Sequence, residues 1–134
     1  MEQSIPHLQE TTARLEQSLG PDHPDTLMSR NNLASAYKLA GDLAQAIPLL
    51  ERTSADCERV LGPDHPDTLM LRNNLAGAYE SAGNVAQATT LFERTLLDAE
   101  KILGPDHPHT LTLRNNLAGA YESAGNVAQA TTLF

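Results

Sequence analysis

The stretch Leu61-Gly62-Pro63-Asp64-His65-Pro66-Asp67-Thr68-Leu69 occurs three times in this chain. The other copies begin at Leu19 and Leu103, 42 residues to either side, and the last differs only in having His109 where the others have aspartate. The segment after the stretch also recurs: residues 72–92 are identical to residues 114–134. A fixed period of this size marks a stacked array, in which each unit buries its apolar face only against its neighbours. Function is therefore to be sought on a repeated surface rather than in one pocket.

The stretch is helix punctuation. Gly62 supplies the backbone freedom needed just past a helix end, and Pro63 blocks continuation. Pro66 suits the first position of the next helix, where its missing N–H has no partner to lose, and Asp67 behind it suits the positive end of the helix dipole. The segment after each copy is a helix, A, near 24–40, 66–82 and 108–124. In the first of these, Leu27, Leu33, Ala34, Tyr37 and Ala40 keep helical spacing and share a face.

Gly41 ends that helix, and Asp42 with Gln45 begins the next as a variant capping box; Asn84 with Gln87 and Asn126 with Gln129 repeat it. Helix B then runs over about 43–61 and 85–103. Its stripe comprises Leu43, Ala46, Ile47, Leu50, Cys57, Val60 and Leu61. Pro48 lies inside it and is expected to remove one backbone hydrogen bond and bend the helix slightly. The two-residue A–B connection forces antiparallel packing. Laid on this period, residues 1–20 are helix B of a partial repeat, 21–62 and 63–104 are whole repeats, and 105–134 is a repeat truncated in its helix B. No strand pattern appears.

Composition narrows the partners. The net charge of −8 and a pI near 4.9 disfavour nucleic acid and anionic membrane, both of which need basic patches. With no tryptophan and few aromatic residues, a base-stacking platform is not expected either. Cys57 is the one cysteine, and its repeat equivalents are Leu15 and Ala99, so it reads as core filler. Met1-Glu2-Gln3-Ser4 shows no signal-peptide pattern, and no apolar run reaches the ~20 residues needed to span a bilayer. A cytoplasmic protein is the expectation.

Together the two helices resemble the tetratricopeptide repeat. Its signature tryptophan, leucine, glycine, tyrosine, alanine and phenylalanine positions fall here on Arg72, Leu75, Ala76, Tyr79, Ala88 and Phe92. The 42-residue length, the Leu-Gly-Pro-Asp-His-Pro loop and the Asn-Asn-Leu-Ala core are similar to the kinesin-light-chain type of this repeat. Two departures stand out: arginine (Arg30, Arg72, Arg114) replaces the tryptophan, and extra residues displace the terminal proline. The resemblance implies a right-handed, all-α solenoid of helix-turn-helix repeats. It also implies a groove, lined by A helices, that takes an extended peptide or partner protein.

Helical phase sorts the A helix into two faces. Arg30, Leu33, Ala34, Tyr37 and Ala40 fall on the packed side, where the arginine is expected to reach a loop or helix-B carboxylate. Opposite lie Asn31, Asn73 and Asn115, flanked by Asn32, Asn74 and Asn116. A second row is Ser35, Gly77 and Gly119, and a third is Lys38, Glu80 and Glu122. Asparagine both donates and accepts, so such a ladder suits the backbone of an extended peptide. The competing reading is that the asparagines tie adjacent A helices together. Glycine leaves room for close approach, and the two glutamates favour a basic ligand. If the rows bind, replacing Asn73 and Asn115 by alanine should abolish binding and leave stability nearly unchanged.

His23, His65 and His107 stand one repeat apart and cannot converge on a metal, which needs three or four ligands within ~2.0–2.3 Å. His109 adds little. No phosphate loop, nucleophile elbow or zinc-protease motif occurs, and near-identical units disfavour a single catalytic centre. The expectation is a non-catalytic interaction scaffold without metal or cofactor. The alternatives are a self-assembly module, in which the apolar repeat ends associate and one chain's first helix completes another's last unit, and an effector-sensing domain of a larger signalling protein.

Overall fold

In the computed structural model, which describes residues 4–125, the chain is all-α. Six helices are described: α1 (Ser4–Ser18), α2 (Pro24–Leu39), α3 (Leu43–Leu61), α4 (Pro66–Ser81), α5 (Val85–Ile102) and α6 (Pro108–Ser123). No strand occurs among the described residues. Helices α2, α4 and α6 are the A helices, and α1, α3 and α5 are B helices. The chain forms two compact units, residues 1–71 and 72–134, with the boundary inside α4.

The repeated stretch closes its corners with recurring bonds, of which the histidine bond is made at all three. Gly62 ends α3 at φ +98°, a conformation that costs a residue with a Cβ substantially more than glycine. Pro66 comes next as the first residue of α4. The imidazole before it has a definite task. Nδ1 of His65 accepts the backbone N–H of Asp67 at 3.0 Å, His23 does the same for Asp25 at 3.0 Å, and His107 for His109 at 3.1 Å. The histidines are thus helix N-caps, each satisfying one of the orphan donors of a helix start. The threonine of the motif completes the corner: Thr26 and Thr68, both wholly buried, donate to the carbonyls of Gly20 and Gly62 at 2.9 and 2.8 Å.

The shorter corner is a Schellman turn. After α2, Gly41 at φ +81° donates to the carbonyl of Lys38 at 3.0 Å and Asp42 donates to that of Tyr37 at 2.8 Å. Gly83 and Asn84 repeat this onto Glu80 and Tyr79 at 3.0 and 2.9 Å. Asp42 then caps α3: its carboxylate accepts the backbone N–H of Gln45 at 3.3 Å and the Gln45 side-chain amide at 2.7 Å. Asn84 departs from the expected pattern and makes no side-chain cap bond. An amide has one acceptor oxygen and no charge, whereas the carboxylate has two oxygens and attracts the helix N-terminus. The third box, at Asn126 and Gln129, lies outside the described residues.

In the first unit α2 packs between α1 and α3. Leu33, Tyr37 and Ala46 form a core against which Ile5, Leu8 and Leu49 pack. In the second unit α5 packs on α6; Ala88, Phe92, Leu96 and Ala99 of α5 and Leu113, Leu117, Ala118 and Tyr121 of α6 are buried. Two residues depart from the expected stripes. Ala40 is exposed because it is the C-cap, carried off the packed face by the turn. Val60 is also exposed, and the buried side of α3 instead includes Thr53 and Ser54. Small polar residues fill tight helix contacts where an apolar stripe omits them. Helix α3 runs unbroken through Pro48.

Candidate functional site

The packed side of the A helices carries a buried cation. Arg30 is 1% exposed, yet its guanidinium is fully engaged. Nε and one terminal nitrogen donate to Glu16 at 3.2 and 3.0 Å, and the other terminal nitrogen donates to Asp56 at 3.1 Å. Glu16 is on α1 and Asp56 on α3, so one A-helix side chain joins the B helices on both sides of it. The network continues outward: Arg59 bonds both Asp56 and Asp22. Hydrogen bonding from Arg59 holds the Asp22 carboxyl below the 3.8 of an ordinary aspartate, and the same bonds push Arg59 upward. In the second unit Arg72 reaches Asp98 at 3.2 Å and Arg114 reaches Glu100 at 2.9 Å. The helix-B carboxylates expected from helical phase are therefore the partners. A planar, five-donor cation can fill the tryptophan position because acids come at it from two helices.

A second polar contact ties A to B. The Tyr37 hydroxyl accepts from the Gln9 amide at 2.8 Å, and the Tyr121 hydroxyl donates to Glu93. That bond to a carboxylate, with burial, pushes the Tyr121 phenol up to about 12. Burial likewise raises the Cys57 thiol, which faces no solvent.

The opposite face holds the expected binding rows. In the first unit Asn32 is exposed, and Asn31, Ser35 and Lys38 are half-buried. In the second unit Asn74, Gly77, Glu80, Asn116 and Gly119 are half-buried, Asn115 and Glu122 are exposed, and Asn73 is buried at 7%. The second unit also shows how successive A helices are held. The Asn116 amide donates to Asn73 Oδ1 at 2.9 Å, and the Ser123 hydroxyl donates to Glu80 at 3.0 Å. One asparagine of the first row thus ties α4 to α6. Asn73→Ala consequently carries a stability cost, about 0.5–1.5 kcal/mol for a lost hydrogen bond, that phase alone did not reveal. Gly119 is different: a Cβ added there meets no atom within 4 Å. The face is therefore open at the Gly119 Cβ position, between exposed Asn115 and Glu122.

Among the described residues no group of three or more His, Cys, Asp or Glu could hold a metal, and no helix is long and apolar enough to cross a membrane. Two features take a definite form only in the structure. The histidines act at the helix starts as N-caps, the position a residue directly before a first-turn proline occupies. The Asn116–Asn73 bond is a tie between adjacent A helices, the competing reading of the asparagine rows, and a single helix's periodicity does not say which pair makes it.

Comparison with known proteins gives a consistent result. The sequence model of the family described as tetratricopeptide repeat matches residues 1–56, 32–96 and 70–134. A structure from Podosopora anserina, named for a kinesin light chain with nearly identical TPR-like repeats, is 32% identical and superposes with a TM-score of 0.89. The match covers 98% of this chain and 63% of that one. A single-substitution form of the same protein gives 32% identity and a TM-score of 0.89 over 98% and 62% of the two chains. BtubC (BKLC) from P. vanneervenii, at 20% identity, a TM-score of 0.86, and 96% and 52% coverage, is alike in fold. The chain thus spans about three fifths of the length of the first two and half of the third. No curated protein matches. The fold class is accordingly the all-α solenoid of these structures.

Proposed function

Because this chain belongs to the tetratricopeptide repeat family, whose repeats generally mediate protein–protein interaction, we propose that it is a non-catalytic scaffold. It takes an extended peptide, or an extended segment of a partner protein, along the asparagine-bearing face of its A helices. The observation that carries this reading is the open space at the Gly119 Cβ position, bordered by exposed Asn115 and Glu122. A peptide backbone approaches most closely over a residue without a Cβ. The Asn115 amide can then donate to a peptide carbonyl and accept a peptide N–H. Glu122, with the chain's net charge of −8, favours a ligand carrying lysine or arginine. The same charge disfavours nucleic acid and anionic membrane. A cytoplasmic setting and the absence of any cofactor belong to the same reading.

A peptide array screened with the full chain tests it. Gly119→Ala should reduce capture of the best extended basic peptide while leaving the melting temperature unchanged or raised, since the added Cβ meets no atom within 4 Å and alanine is the better helix former. Glu122→Lys should weaken the same peptides and spare neutral ones. Capture that is indifferent to both Gly119→Ala and Glu122→Lys would exclude this face. The second reading, a self-assembly module, is favoured by the exposed leucines Leu19 in the first unit and Leu97 in the second. Concentration-dependent mass in light scattering, lost on Leu97→Glu, would support it.

A further inference from the structure

Among the described B helices, α5 carries a face that the other two lack. Thr90, Arg94, Leu97 and Lys101 recur at i, i+4, i+7 and i+11 and form one line, turned away from the buried Ala88, Phe92, Thr95, Leu96 and Ala99. At 1.5 Å per residue the line is about 16 Å long. Leu97 is 60% exposed. The same position is an exposed alanine in α1 and α3, Ala13 and Ala55. Solvent thus reaches this face in each repeat, and α5 alone of the three sets a large apolar side chain on it.

The charges of α5 fall into two groups. Its three acids are spent on other helices: Asp98 on Arg72 of α4, and Glu93 and Glu100 on Tyr121 and Arg114 of α6. Arg94 and Lys101 have no partner among the described residues. Arg59, the α3 counterpart of Lys101, is by contrast held by Asp22 and Asp56. Arg94 also stands at a cavity of about 370 Å³ between α4 and α5, walled by Leu75, Tyr79 and Leu91, with Gln87 and Thr90 completing the lining. Leu75 and Tyr79 are buried, whereas Gln87, Thr90 and Arg94 are exposed at the mouth. The Thr90 hydroxyl donates to the carbonyl of Ala86 at 3.0 Å, so Gln87 and Arg94 are the donors left there.

From this we infer that the outer side of α5, from the cavity to Lys101, docks an acidic segment of a partner protein. One apolar side chain of the partner enters the cavity against Leu75, Tyr79 and Leu91, another covers Leu97, and carboxylates beside them meet Arg94 and Lys101. Charge complementarity sets the class of partner: two unneutralised cations flank an exposed leucine, on a chain whose net charge of −8 opposes acidic ligands in general. Two cations are too few to hold nucleic acid or an anionic membrane against that charge. The surface is separate from the asparagine face of the A helices and selects the opposite charge.

The test follows a labelled peptide, three repeats of Glu-Glu-Phe-Leu, by fluorescence anisotropy against the full chain at low salt. Saturable binding is expected. It should be at least tenfold weaker to a chain carrying Arg94→Glu and Lys101→Glu, and to the parent chain when serine replaces the peptide's Phe and Leu. The double variant should melt as the parent does, since both replaced side chains are exposed and unpaired. It should also capture basic peptides as the parent does, which separates this surface from the one at Glu122. Absence of saturable binding overturns the inference, as does binding that survives the double substitution. A serine-substituted peptide that binds equally well would reduce the surface to charge alone and overturns it too. So does mass in light scattering that rises with concentration and falls back in the double variant, which would assign the face to a second copy of this chain.

Discussion

Replacing Arg30 with alanine should cost far more than the same change at Arg114, although the two occupy the same position in their repeats. Arg30 is shielded, with a side chain 2% exposed, and makes three charge-assisted bonds to two acids. Removing one partner of a buried ion pair costs about 3–5 kcal/mol when the remaining charge stays buried. Here Glu16 and Asp56 retain 36% and 24% of their side-chain exposure and can rehydrate, so the lower end, about 3 kcal/mol, is expected. Arg114, 27% exposed and bonded to one acid among the described residues, resembles a surface pair worth about 1 kcal/mol or less. For a chain of this size about 3–5 °C of melting temperature accompanies each kcal/mol. Thermal unfolding followed by circular dichroism at 222 nm should therefore show a fall of about 10 °C for Arg30→Ala and about 3 °C for Arg114→Ala. Arg30→Lys should fall between, since a point cation cannot span two helices. Equal losses at the two sites would refute the reasoning, because burial and partner number would then not be what the arginine contributes.

Asn84→Asp should restore the cap that Asp42 already makes and raise stability by about 0.5–1 kcal/mol in urea unfolding, while Asp42→Ala should lose about 1 kcal/mol. Gly62→Ala, forced to φ +98°, should destabilise by about 1 kcal/mol or more, although a Cβ there meets nothing within 4 Å. Absorbance of ionised tyrosine should show Tyr121 titrating at about 12, a component that Tyr121→Phe removes and Glu93→Gln shifts downward. Since that folded value lies above the ordinary 10.0, its stabilisation is complete below pH 10.0 and is lost as pH rises through 12. The Asp22 carboxyl is depressed instead, so its contribution is present above 3.8 and disappears as pH falls through its lower folded value. Arg59→Ala should therefore flatten acid unfolding below about pH 4.

The sequence carried the helices almost to the residue, because glycine, proline and the cap residues act locally. Bounds of 43–61 for helix B coincide with α3, and the A helices and α5 end within a residue of expectation. The arginine's role was also legible, since helical phase alone put Arg30 on the packed side. What escaped depends on contacts between helices. Asn73 and Asn115 read identically along the chain, yet one is buried against Asn116 and the other is exposed. Val60 reads as core and lies outside it, while Thr53 and Ser54 read as polar and are buried. Whether a small polar residue sits inside is decided by how closely two helix axes approach, which periodicity does not encode.

Asp42 finishes one helix and begins the next: its amide closes the Schellman turn onto Tyr37 while its carboxylate receives Gln45. With one residue serving both ends, the corner has no slack. Fraying at the last turn of α2 must loosen the first turn of α3 in the same event, so amide protons on either side of Gly41 should exchange with solvent together. A single residue inserted at that point would separate the two duties and unlatch both helices at once, whereas the longer Gly-Pro-Asp-His corner has chain to spare.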